Sequence, residues 1–147
     1  MVTRRALLGA GALSLLAGCG PPDEPKVDAG QVLGEQLRVT QLVVGAYAGG
    51  AERRNAEARV KRIEDALVAA GGTPGAAPAS GVVGANEALA AESAALRAHV
   101  AAVGELGGND YRELLSGLIV DAASAQSRLL AELGRPPLPT AFPGQPV

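Results

Sequence analysis

Apolar residues recur along this chain at steps of three and four in four blocks bounded by glycine, and no stretch shows the two-residue alternation of a half-buried strand. The pattern predicts four helices and an all-α domain. The first block begins at Asp28, with Gln31 three residues on as in a capping box, and runs to about Ala48, where Gly49-Gly50 stops it. Its expected inner row is Leu33, Leu37, Gln41, Val44 and Ala48, with Val39 and Val43 widening the apolar face. The second runs from about Ala51 to Ala70 and directs Ala56, Val60, Ile63, Leu67 and Ala70 inward, with most of its charges outward. The fourth starts at Asn109 or Asp110, directs Tyr111, Leu115, Leu118, Ala122, Ala125 and Leu129 inward, and ends at Gly134 before Pro136-Pro137.

The third block, Asn86 to Gly104, differs from the others. Its inward row is Ala85, Leu89, Glu92, Leu96, His99 and Val103, so a carboxylate and the chain's one histidine fall on the face that should be buried. A lone charge in an apolar interior is costly, so Glu92 needs a partner, a metal or a proton. Glu92 and His99 are seven residues apart, about 10 Å along a helix axis, too far to ligate one ion jointly without help. The other reading of His99 is a core histidine bonded to a neighbour.

Connections differ in length. Gly49-Gly50 and Gly107-Gly108 are short links that join antiparallel helices, whereas residues 71–84 form a long connection able to climb the side of a bundle and let helices 2 and 3 run parallel.

Composition adds location. Arg4 and Arg5 precede an apolar run from Ala6 to Ala17, too short for a comfortable permanent span, so residues 1–18 read as a signal peptide. Leu16-Ala17-Gly18-Cys19 resembles a bacterial lipobox, which implies a diacylglycerol on Cys19 and that residue as the new N-terminus. Sec and twin-arginine export both stay open, because Thr3-Arg4-Arg5 lacks the aromatic expected after a twin arginine. Residues 19–27 read as a lipidated, proline-rich tether, 28–137 as the helical domain and 138–147 as a C-terminal tail. The expected location is therefore the cell membrane, lipid-anchored on its extracytoplasmic face.

One cysteine, used for the anchor, leaves no intramolecular disulfide. Without Arg4 and Arg5 the mature chain has 11 basic and 15 acidic residues, which argues against a nucleic-acid partner. With no Trp, and only Tyr47, Tyr111 and Phe142 as aromatics, the core must be Ala, Leu and Val. No nucleophile motif and no phosphate loop is present, and the chain names no protein partner.

QLVVGAY in the first helix, ARVKRIEDALVAAGGTP ending the second, LAAESAAL in the third and LLAELGRPPLPTAF closing the fourth carry a resemblance to the ferritin-like four-helix family. The likeness is greatest to its lipoprotein members in high-GC Gram-positive bacteria, and it covers residues 31 to 142. The family implies a ferritin-like bundle with a long crossover between helices 2 and 3. Its active members hold two metals with a Glu on helices 1 and 3 and a Glu-x-x-His on helices 2 and 4. Here Gln41 stands at the first Glu, Ala56 and Arg59 at the first Glu-x-x-His, and Ala122 and Ala125, or Asp121 and Ser124, at the second; only Glu92 remains. One or two carboxylates cannot offset a dinuclear charge, so no metal or other cofactor is expected. The resemblance instead implies a buried polar cluster of Gln41, Arg59, Glu92 and His99, with Arg59 facing Glu92 and either Tyr47 or His99 joining Gln41 to complete the bonding; the other reading has Arg59 snorkelling outward and leaving Glu92 beside water. The expected role is a non-enzymatic envelope lipoprotein, structural or interaction-mediating; the alternative is a metal-handling or redox protein whose site a partner completes.

Overall fold

A computed structural model describes residues 27–136, except 80, 82 and 107. Residues 1–18, read above as a signal peptide, Cys19 with the tether up to residue 26, and the tail at 138–147 lie outside the described residues. Four helices form: α1 (Ala29–Ala46), α2 (Gly50–Ala69), α3 (Ala85–Glu105) and α4 (Asn109–Glu132), and no strand occurs among the described residues.

The helix ends follow from local chemistry. Asp28 caps α1 by accepting from the Gly30 and Gln31 amides at 2.9 and 3.4 Å, satisfying donors that have no partner inside the helix. Beyond α2 and α4 the chain turns through Gly71 (φ +81°) and Gly134 (φ +65°), left-handed conformations that cost a side-chain-bearing residue more. Each glycine closes the same pair of bonds. Gly71 N donates to Val68 O and Gly72 N to Leu67 O, both at 2.9 Å, while Gly134 N donates to Ala131 O and Arg135 N to Leu130 O at 3.0 and 2.8 Å. This is the Schellman arrangement, and it uses up carbonyls the helices would leave bare.

The four helices form a bundle. α1 packs against α2 and α3, α3 packs against α4, and α2 meets α4 only sparsely. Side-chain bonds give the directions: Gln36 reaches His99 while Tyr47 reaches Glu92, so α1 and α3 are antiparallel. Arg128 to Glu52 and Arg62 to Asp121 make α2 and α4 antiparallel in the same way. Residues 70–84 start beside the N-terminus of α1, where Gly72 approaches Gly30, and finish at its C-terminus, where Gly84 N donates to Ala46 O at 3.3 Å.

The apolar core has two layers with polar residues between. One holds Val32, Leu33, Leu37, Ile63, Leu67, Ala102, Leu106, Leu115 and Leu118; the other Val39, Val43, Ala46, Tyr47, Ala56, Ala88, Leu89, Ala95, Leu129 and Leu130. In between, α1 contributes Gln36 and Thr40, α2 Arg59, α3 Glu92 and His99, and α4 only Ala122 and Ala125, all buried. Nearly all of α4's expected row is buried, Tyr111 partly. In α3 the row holds from Leu89 to His99, but Val103 is exposed and Ala102 and Leu106 close the core.

The phase expected for α1 is corrected. Gln41 and Val44 are half-buried and Ala48 lies exposed beyond the helix, while Gln36, Thr40, Val43 and Tyr47 face the interior. From Leu33, steps of four rotate a row by about +40° each and steps of three by about −60°. The row through Gln41 therefore drifts to one flank of Leu33, and the row through Gln36, Thr40, Val43 and Tyr47 to the other. α1 faces two neighbours, so its buried arc is wide, with Gln36 and Tyr47 near its middle and Leu37 and Val39 toward its edges. In α2, Val60 is only half-buried and Arg59 takes the interior position beside it.

Gly34 lies inside α1 with nothing within 4 Å of where a Cβ would stand. Gly34→Ala should therefore raise stability by up to about 1 kcal/mol, the helix-propensity difference, without a steric cost. Urea or thermal unfolding of this variant checks it; a lowered midpoint would mean that the position is crowded.

Candidate functional site

Arg59 and Glu92 meet at the centre of the bundle. Arg59 Nη1 donates to Glu92 Oε2 at 2.8 Å and Nη2 to Oε1 at 2.5 Å, a two-pronged pair between α2 and α3. Arg59 is 2% exposed and Glu92 0%. The planar guanidinium matches both carboxylate oxygens at once, which a lysine ammonium could not do. Tyr47, at the end of α1, adds a third bond from its hydroxyl to Glu92 Oε1 at 3.0 Å.

Helix phase puts these groups together. Arg59 follows Ala56 by three and precedes Ile63 by four, so it shares their inward face, and its long stem carries the charge to the axis. Glu92 sits between Leu89 and Leu96 on α3 by the same spacing. Opposite them α4 presents alanines, leaving room for a side chain as large as arginine.

Charge states follow from the surroundings. Burial by itself would lower the pKa of Arg59, but the hydrogen bonds and charge of Glu92 outweigh it and raise it, so the guanidinium stays charged. Burial first, and the neighbouring Glu92 second, push the Tyr47 phenol well above its usual range, which keeps it a donor. His99 is the opposite case: burial, with the Arg59 charge second, lowers its pKa to about 4. It is therefore neutral at pH 7. Its Nδ1 lies 2.7 Å from Gln36 Oε1, and because an amide oxygen only accepts, Nδ1 carries the proton. Thr40 Oγ donates to the Gln36 carbonyl at 2.8 Å. His99 Nε2 is left buried without a partner.

Of the residues singled out from sequence, Arg59 and Glu92 are paired directly and His99 lies in the same polar layer. Gln41 does not join it. It is half-buried on the flank of α1, and Gln36 is the amide that meets His99. The sequence reading missed Gln36 and Thr40 because the α1 row was set one side too far around; a row using Tyr47 as its polar anchor would have found both, since 36, 40, 43 and 47 step by four, three and four.

On the other side of Arg59, α2 and α4 leave a groove of about 490 Å³ lined by Glu52, Asn55, Arg59, Arg62, Ser124 and Arg128 among others. Two ion pairs bridge it, Arg62 with Asp121 and Arg128 with Glu52, the latter at 2.8 Å; all four side chains are well exposed. At such sites an ion pair contributes about 0–1 kcal/mol.

Arg59→Leu alone strands a buried carboxylate and Glu92→Leu alone strands a buried guanidinium, so each single change should cost about 3–5 kcal/mol. The double variant should lie far above the sum of the two, with a coupling of several kcal/mol in a denaturant-measured double-mutant cycle; additive losses would show that the two groups do not stabilise each other.

His99 gives a pH dependence. Its folded pKa lies below the unfolded value of about 6.5, so between about pH 6.5 and about pH 4 the unfolded chain binds more protons. Stability is fully present above that window and falls on acidification by at most about 1.4 kcal/mol per pH unit. Unfolding free energies at stepped pH should show this slope in the parent and its loss in His99→Gln; an unchanged slope in the variant would place the titration elsewhere.

Compared with family models, curated proteins and solved structures, the chain matches none.

Proposed function

We propose that this chain is a lipid-anchored protein of the extracytoplasmic face of the cell membrane, carried there by a signal peptide and acylated at Cys19. In this reading it is a ferritin-like bundle with a long crossover between helices 2 and 3, and an internal ion pair stands where the family's active members hold two metals. Its role is then non-enzymatic, structural or interaction-mediating. The observation that carries the reading is the Arg59–Glu92 pair at mid-bundle, where both carboxylate oxygens are already bonded to a cation and one also to Tyr47.

Supporting it, helices 1 and 3 and helices 2 and 4 are antiparallel neighbours, and residues 70–84 pass from one end of α1 to the other. The donor set at the centre does not fit a dinuclear metal. Such a site needs several anionic oxygens with imidazole, whereas this layer offers one carboxylate, an arginine, an amide, a hydroxyl and one imidazole. Among the described residues no three His, Cys, Asp or Glu side chains are grouped to hold an ion. No helix among them is long and apolar enough to cross a membrane, so in this reading attachment rests on the lipid.

Two measurements test the proposal. Cys19→Ser should move the protein from the membrane fraction to the soluble one, and elemental analysis of the parent should give iron, manganese and zinc far below one per chain. Unchanged membrane retention would remove the anchor, and a stoichiometric metal would remove the non-enzymatic reading.

A further inference from the structure

The groove between α2 and α4 has three properties that incidental surface clefts rarely combine. It lies where the bundle packs most sparsely, its volume of about 490 Å³ is that of a small-molecule site, and a nearly fully buried charged side chain, Arg59, lines it. A guanidinium has five N–H donors in a rigid fork. Glu92 takes one from Nη1 and one from Nη2, which leaves three, including Nε–H, with no protein acceptor among the described hydrogen bonds. No Arg59 nitrogen is both enclosed and unpartnered, so this free edge is open to approach, and the open direction is the groove.

The rest of the lining is consistent with one class of ligand. Arg62 and Arg128 stand near its two ends, each held across the gap by an acid of the other helix, Asp121 and Glu52. Asn55 and Ser124 line it with neutral polar groups, and Ala58 and Ala125 keep it open. The three arginines are matched by Glu52, Asp121 and, behind Arg59, Glu92, so the charges balance and an incoming anion binds by displacing a rim carboxylate. The rim pairs are exposed and exchange cheaply, so either arginine can leave its acid for a better acceptor.

We propose that this groove is a binding site for a small oxyanion, a phosphate or carboxylate group, which accepts hydrogen bonds from the free edge of Arg59 and is clamped by Arg62 and Arg128. Planar or tetrahedral oxygens both suit two-pronged donation by arginine, so the shared chemistry is the oxyanion and its bearer is either a free metabolite or a headgroup. The site is separate from the lipid anchor and from the question of metal, and its test is independent of both.

The full chain, ¹⁵N-labelled and purified in a non-ionic detergent and phosphate-free buffer, is titrated with inorganic phosphate, with acetate, and with sodium chloride at matched ionic strength. Saturable amide shifts centred on Asn55, Ala58, Arg62, Ser124 and Ala125 are expected with at least one oxyanion and not with chloride. Arg62→Gln combined with Arg128→Gln should weaken that binding about tenfold or more, since two charge-assisted bonds are lost. Ser124→Phe, an exposed position that fills the groove, should abolish it while leaving the unfolding midpoint near that of the parent. These variants avoid Arg59, whose replacement threatens the fold. A second titration with anionic-headgroup vesicles against neutral ones identifies the bearer: shifts or line broadening at these residues only with the anionic vesicles mean a headgroup, and shifts with free phosphate or acetate alone mean a soluble ligand. No saturable shift with any probe, shifts spread evenly over the surface, or binding untouched by the double arginine change and by Ser124→Phe would overturn the proposal.

Discussion

The Arg59–Glu92 pair is the constraint on which the arrangement of this bundle depends. It links α2 and α3, the helices that lie diagonally across the core and have no extensive packing of their own. Two opposite charges brought out of water tolerate little misalignment, because their mutual attraction offsets the desolvation cost only in good geometry. Sliding α3 by one turn would move Glu92 about 5 Å along the axis and leave both charges unpaired. Alanine and leucine layers alone permit such slips at small cost, so in this alanine-rich interior the pair supplies registry more than net stability. Tyr47 extends the same restraint to α1.

The polar layer also explains why α4 is built differently. An arginine and a glutamate at mid-bundle need volume, and Ala122 and Ala125 give it up. The consequence is a seam beside Arg59, where α2 and α4 are bridged by exposed ion pairs, while the apolar side chains of the two helices meet in the layers above and below. One side of the buried cation is bonded to Glu92 and the other borders the groove. His99 differs, because Gln36 satisfies Nδ1 while Nε2 is buried without a partner.

How much of this was legible in the sequence depended on how narrow each helix's buried face is. α4 has a stripe about one row wide, and in α3 alanines flank a row with the same steps of four and three, so Leu89, Glu92, Leu96 and His99, and Leu115 to Leu129, could be placed by periodicity alone. α2 is mostly charged, so its few apolar residues mark the inner face, but the row ran through Val60, and Arg59 was placed at the centre only by the resemblance to the ferritin-like family. α1 was the exception. Valines and leucines cover more than half of its circumference because it has two neighbours, and a broad apolar arc does not say where its middle is. The error fell on the polar residues, exchanging Gln41 for Gln36. The unfilled groove could not be read at all, since it arises from what two distant helices fail to fill.

The direction in which the chain enters and leaves has a mechanical consequence. α1 begins at the end of the bundle where Gly72 lies, and α4 finishes at the opposite end, where Arg135 reaches Asn86 at the start of α3. The two are parallel and diagonal, about 30 Å from one exit to the other. A pull between the chain ends would therefore act along the helix axes and load the lateral contacts in shear, every row at once, instead of peeling helices apart one turn at a time. Resistance to sliding is then borne where side chains interlock across the axis, and the bond set joining Tyr47, Arg59 and Glu92 lies at mid-height in that path.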